Sequence, residues 1–113
     1  MPYTRTEAKK LLTATELEVF DAGKATEIGK LTKPELRRNL ERNRRLRDKY
    51  HDLFRRQRLA TRAESGSKSG NSGVANQRTQ QKEEIFAEAV DRLKQRILQL
   101  EKQEDAEFSK LDS

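Results

Sequence analysis

Phe86-Ala87-Glu88-Ala89-Val90-Asp91-Arg92-Leu93-Lys94-Gln95-Arg96-Ile97-Leu98-Gln99-Leu100 decides the fold. Its apolar residues Phe86, Val90, Leu93, Ile97 and Leu100 step by four, three, four and three. That is the a/d spacing of a helix that turns one narrow seam toward a partner helix. The seam then meets Glu104 and resumes at Phe108 and Leu111. A second stripe of similar period runs through Leu36, Leu40, Asn43, Leu46, Tyr50, Leu53, Gln57 and Ala60. Asn43 and Gln57 interrupt it. Asn43 reads equally as a buried amide that sets register and as a side chain turned to solvent.

The helix starts are well signed. Thr32-Lys33-Pro34-Glu35 fits a capping box, with Leu31 and Leu36 placed as a hydrophobic staple. Thr13-Ala14-Thr15-Glu16 repeats the arrangement, with Leu12 and Leu17 as the staple, and Thr4-Arg5-Thr6-Glu7 repeats it without one. These signals predict helices over 5–12, 14–22 and 33–63. Gly23 is placed to end the second as a C′ residue. Thr79 is placed to cap the last helix, with Glu83 and Glu84 in its first turn.

Composition agrees with helices that share a seam. Of 113 residues, 32% are hydrophobic and 39% charged, too lean a mixture for a thick globular core. The absence of cysteine excludes disulfides and thiolate metal sites, and a single histidine excludes a multi-histidine site. No apolar run approaches the ~20 residues of a bilayer span. Met1-Pro2-Tyr3-Thr4 lacks the apolar stretch of a secretory signal, so the expected location is the cytoplasm.

The expected fold is therefore all-α. Two long helices of similar length form an antiparallel, coiled-coil-like hairpin. Two short amino-terminal helices cover its open end through Leu11, Leu12, Leu17, Phe20 and Ile28. Four parts make one domain: short helices over 1–31, a basic helix over 32–63, a Gly/Ser-rich basic loop over 64–81, and an acidic helix over 82–113.

Charge locates the candidate site. Residues 1–54 carry 13 basic and 9 acidic side chains, and residues 83–113 carry 5 and 9, so these parts cancel. Residues 55–82 hold seven basic side chains against Glu64 alone, which equals the net charge of +6. The excess falls around the hairpin tip. The residues expected to bind a partner there are Arg55, Arg56, Arg58, Arg62, Lys68, Asn71, Asn76, Arg78 and Lys82. Gly66, Gly70 and Gly73 would bring backbone N–H groups close to an anion. The other reading of this segment is a solvated basic loop.

Sharper motifs fail. In Gly66-Ser67-Lys68-Ser69-Gly70-Asn71-Ser72-Gly73 the lysine precedes the second glycine and no strand leads in, unlike a phosphate-binding P-loop. His51 lies between Tyr50 and Asp52 with no evident nucleophile, and reads as a surface histidine. No catalytic, metal or cofactor residue is expected, and the protein is not expected to be an enzyme.

Three functions remain. The first is a protein-binding module of antitoxin or effector-chaperone type, whose tip docks on an anionic surface or cleft, such as that of an enzyme it inhibits or stabilises. The second is binding of structured RNA or DNA through the same tip. No aromatic residue lies between Phe54 and Phe86 to stack on bases, and Glu35, Glu41, Asp48 and Asp52 interrupt the basic helix, so the second ranks below the first. The third is a structural coiled-coil homodimer. No membrane partner is expected.

Overall fold

A computed structural model describes residues 3–63 and 70–111, with side chains over 3–60 and 75–111. Five helices follow in order: α1 Arg5–Leu11, α2 Ala14–Ala22, α3 Ala25–Ile28, α4 Lys33–Ala63 and α5 Gly70–Leu111. Helices α4 and α5 pair as an antiparallel hairpin, and α1–α3 lie against it. The molecule is a rod of 70 × 26 × 22 Å.

The threonines expected to cap the first three predicted helices do so, Thr4 and Thr13 in full capping boxes. Thr4 Oγ1 accepts the Glu7 amide at 3.3 Å, while the Thr4 amide donates to Glu7 at 3.2 Å. Thr13 and Glu16 do the same at 3.2 and 3.0 Å. Thr32 Oγ1 accepts the Glu35 amide at 3.4 Å. Each cap satisfies backbone donors that the first helical turn leaves unpaired. The staple residues then enter the core: Leu12 and Leu17 join one cluster, Leu31 and Leu36 the other.

The seam is buried as its spacing requires. Phe86, Val90 and Leu93 have at most 1% of their surface exposed, and Ile97 has 9%. Two apolar clusters result. One gathers Ala8, Leu12, Phe20, Tyr50, Ile85 and Phe86, the other Ile28, Leu36, Leu40, Val90, Leu93 and Ile97. Asn43 falls between them along α4. It is fully buried at 0% exposure, which resolves its two readings in favour of the seam. Its Nδ2 donates to the Asn39 carbonyl at 2.7 Å, within its own helix.

The amino-terminal helices run along the hairpin from its middle to its open end. Tyr3 marks one limit, where its amide donates to Glu88 at 3.2 Å. Two arginines one turn apart on α5 fix the rest. Arg92 Nε donates to the carbonyl of Gly23, the C-cap of α2, at 3.2 Å. Arg96 donates to the carbonyl of Gly29, the C-cap of α3, at 3.4 Å. A cation at a helix C-terminus answers both the unpaired carbonyls and the helix dipole.

Four features differ from the sequence reading. Helix α3 is an extra turn with no side-chain cap, so nothing in its sequence announces it. Gly23 ends α2, but as the C-cap itself with φ −100° and ψ 7°, outside the left-handed region of a glycine C′. Helix α5 starts at Gly70, inside the expected loop. Residues 74–81 contain no proline and include Ala75, Gln77, Arg78, Gln80 and Gln81, all helix formers. Thr79 is thus interior, not a cap. It is buried, and its Oγ1 donates back to the Ala75 carbonyl at 2.9 Å.

Lastly, the two long helices are unequal, with 31 and 42 residues, or ~46 and ~63 Å. Lys33 at the start of α4 reaches Glu104 at 3.0 Å, and α5 continues past it. Phe108 and Leu111 follow the seam's spacing, yet they are 67% and 83% exposed because α4 has already ended. Among the described residues, no helix is long and apolar enough to cross a membrane.

Candidate functional site

Tyr50 divides the hairpin. Below it, α1–α3 add a layer to α4 and α5. Above it, the two long helices face each other alone. Leu53, Phe54 and Gln57 are half-buried there, opposite buried Thr79 and half-buried Asn76. The tip half is a slender two-helix stalk with charged flanks.

Some cations below it are ion-paired, and none of its own described cations is. In the covered half, Arg5 and Lys24 share Asp21 at 3.0 and 3.2 Å, Lys33 meets Glu104, and Arg45 meets Glu41 at 3.2 Å. Among the described residues, no ion pair reaches Arg55, Arg56, Arg58, Arg78 or Lys82. Two of these use aromatic faces instead. The Arg58 guanidinium sits 5.8 Å from the Phe54 ring centre, and the Lys82 ammonium 5.1 Å from that of Tyr50. Arg55 and Arg56 border a shallow depression of about 450 Å³ completed by Asp52 and Leu59. Leu59 is 57% exposed, the one large exposed apolar side chain described in this half.

The structure thus brings Arg55, Arg56 and Arg58 together on α4 and places Arg78 and Lys82 on α5. Arg55, Arg56, Arg58 and Arg78 are exposed; Lys82 is half-buried. Asn76 is also half-buried, and its Oδ1 is shielded from solvent with no hydrogen-bond partner. Arg62 and Asn71 lie on α4 and α5, but their side chains are outside the described residues, as is Lys68 altogether. Gly70 and Gly73 belong to the first turn of α5, so their backbone is helical; Gly66 is outside the described residues.

Sequence reasoning overlooked Leu59 and the link between His51 and Glu83, whose Nδ1 and Oε1 lie 2.8 Å apart across the two helices. Their positions, eight residues after His51 and one after Lys82, carry no motif that would single them out. The site holds cations, amides, a hydroxyl and an aliphatic side chain. Such groups bind anions by charge and hydrogen bonding. Among the described residues, no three His, Asp or Glu side chains gather as a metal ion would require.

Titration is perturbed at the seams between layers. Burial, followed by the hydrogen bond to Glu16, raises the Tyr50 phenol above its ordinary value. Burial and the bond to Glu84 push Tyr3 up to about 12. The Arg5 hydrogen bond holds Asp21 below the usual carboxylate value. Comparison with protein-family models, curated proteins and solved structures finds no match to this chain.

Proposed function

We propose that the protein is a non-catalytic interaction module whose tip half docks on an anionic surface or cleft of a partner protein, in the manner of an antitoxin or an effector-chaperone. One observation carries the reading: among the described residues, none of the five tip-half cations Arg55, Arg56, Arg58, Arg78 and Lys82 has a carboxylate partner, whereas in the covered half Arg5, Lys24, Lys33, Arg37, Arg45 and Arg47 do, alongside unpaired cations such as Arg38 and Arg42. Unpaired arginines on a two-helix stalk are free to meet carboxylates on another molecule, with bidentate geometry available at each guanidinium. Leu59 beside Arg55 and Arg56 favours a protein partner. An exposed aliphatic side chain within a charged rim resembles the make-up of a protein interface, and Phe54 already lies under Arg58 rather than open to a base.

Tagged protein recovered from its host, with and without nuclease treatment, tests this. The reading requires a stoichiometric protein that survives nuclease and is lost with Arg55→Ser/Arg56→Ser/Arg78→Ser. Loss of every companion on nuclease treatment would replace it with nucleic-acid binding at the tip.

A further inference from the structure

Helix α4 carries twelve Lys or Arg and four Asp or Glu, a net +8 that exceeds the +6 of the whole chain. Its buried residues Leu36, Leu40, Asn43 and Tyr50 set its rotation against the rest of the molecule. The opposite face therefore points away from every other helix. Arg38, Arg42, Arg45, Lys49 and Arg56 lie along it, all exposed. From Arg38 to Arg56 the row extends ~27 Å.

Acidic neighbours offset only part of the row, at Arg45 and beside Asp52. Glu41 is taken by Arg45 at 3.2 Å and Asp48 by Arg47 at 3.2 Å. Asp52 lies between Lys49 and Arg56, in the depression with Arg55. Among the described residues, Arg38, Arg42, Lys49 and Arg56 have no carboxylate partner. The Lys49 ammonium rests 5.2 Å from the Tyr50 ring centre. Like charges four apart on a helix repel, so Arg38 with Arg42 and Arg45 with Lys49 work against the helix in the free protein.

We propose that this outward face of α4 is a second binding surface, shared with the tip only at Arg56, and that it holds the phosphate backbone of a nucleic acid. The face is long, and all its exposed residues from Arg37 to Arg56 are ionisable. A ligand that uses it must carry negative charge along ~27 Å. Nucleic-acid duplexes do so, at one charge per ~1.7 Å of axis. A protein partner needs an apolar anchor at the centre of its interface, and a bilayer needs an apolar face to insert; this row offers neither. Backbone contacts of this kind carry no sequence information, so recognition is independent of base sequence. The tip reading does not depend on it.

Fluorescence anisotropy with mixed-sequence 20-bp DNA and RNA duplexes tests the proposal. Wild-type protein should bind both, and four phosphate contacts should weaken binding on the order of a hundredfold between 50 and 200 mM KCl. Arg38→Ser/Arg42→Ser/Lys49→Ser should bind at least tenfold more weakly at 50 mM KCl, with a log–log salt slope smaller by about 3. Arg38→Lys/Arg42→Lys keeps the charges and should bind as wild type, which separates an effect of charge from an effect on folding. No duplex binding by wild type at 50 mM KCl would overturn the proposal. So would wild-type affinity in the triple Ser variant, or weakening only with Arg55→Ser/Arg58→Ser/Arg78→Ser, which would assign the duplex to the tip. Equal dependence on the row for anionic phosphatidylserine vesicles or an acidic protein, without duplex binding, would overturn it as well. None of these outcomes changes whether a protein is held at the tip.

Discussion

The Tyr50 hydroxyl, midway along α4, donates its hydrogen bond to the Glu16 carboxylate on α2, and both residues are buried. Glu16 also accepts the Thr13 amide at 3.0 Å, so one carboxylate closes the cap of α2 and ties it to the hairpin. The Tyr50 ring stacks on Phe86 at 6.1 Å between centres with 8° between planes. Three layers meet at this residue, and above it the hairpin stands alone.

Tyr50→Phe keeps the ring and removes the hydroxyl. The Glu16 carboxylate then stays buried with one donor fewer. Urea unfolding should show a loss of about 1–3 kcal/mol. Far-UV circular dichroism should stay unchanged, because the capping box at Thr13 survives.

Alkaline pH should act through the tyrosines. Both phenols are raised in the folded state, Tyr3 to about 12. A raised group stabilises the fold fully below its unfolded value of ~10 and loses that contribution as pH climbs toward the folded value. Stability should be insensitive to the tyrosines below pH ~10 and fall above it. Absorbance titration at the phenolate band should place both transitions above that of the unfolded chain; titration at the ordinary value would contradict the packing of Tyr3 and Tyr50.

Gly23→Ala should stabilise the protein, by about 0.4–1 kcal/mol. The backbone there has φ −100°, open to any L-residue. A Cβ would meet Val19 O at 3.6 Å and both Ala89 Cβ and Asn43 Nδ2 at 3.7 Å, ordinary contacts. The gain comes from a less flexible unfolded chain. A lower thermal midpoint would contradict this geometry.

The seam should be sensitive where it is covered and insensitive where it is not. Leu93→Ala should cost about 2–5 kcal/mol, since Leu93 is fully buried. Leu93→Pro should cost ~3 kcal/mol or more through the helix break alone. Phe108→Ser should stay within roughly 0.5 kcal/mol of wild type, despite removing a larger side chain. Chemical denaturation of the three variants reads the contrast directly.

Much of the hairpin was legible in the chain. The four-three stepping of Phe86, Val90, Leu93, Ile97 and Leu100 reports a buried stripe because one face of a helix recurs at that period. Thr4, Thr13 and Thr32 mark helix starts because caps are local hydrogen bonds between residues three apart. What escaped depends on distant partners. Phe108 follows the period but lies beyond the end of α4, and a period says nothing of how far a partner helix reaches. Residues 70–81 look like a loop by composition, while pairing of α5 with α4 recruits them into the helix. At the site, the cluster of Arg55, Arg56 and Arg58 was visible as net charge. The outward row from Arg38 to Arg56 was not, because charge counted along the chain averages over both faces, and Glu41 and Asp48 mask it until their partners are known.

Replacing the tip cations should separate binding from folding. Arg55→Ser/Arg56→Ser/Arg78→Ser removes no seam residue and no ion pair, so stability should move within roughly 0.5 kcal/mol per site. Partner affinity should fall by about 1.5–3 kcal/mol for each charge-assisted hydrogen bond removed, as isothermal titration would read.

Hydrogen exchange on the complex recovered from the host tests the central claim most directly. If the tip half is the docking element, amides over 51–60 and 75–83 should exchange more slowly in the complex than in the free protein, while those of α1–α3 stay unchanged. Protection confined to α1–α3, or to residues 105–111 where Phe108 and Leu111 are exposed, would contradict it.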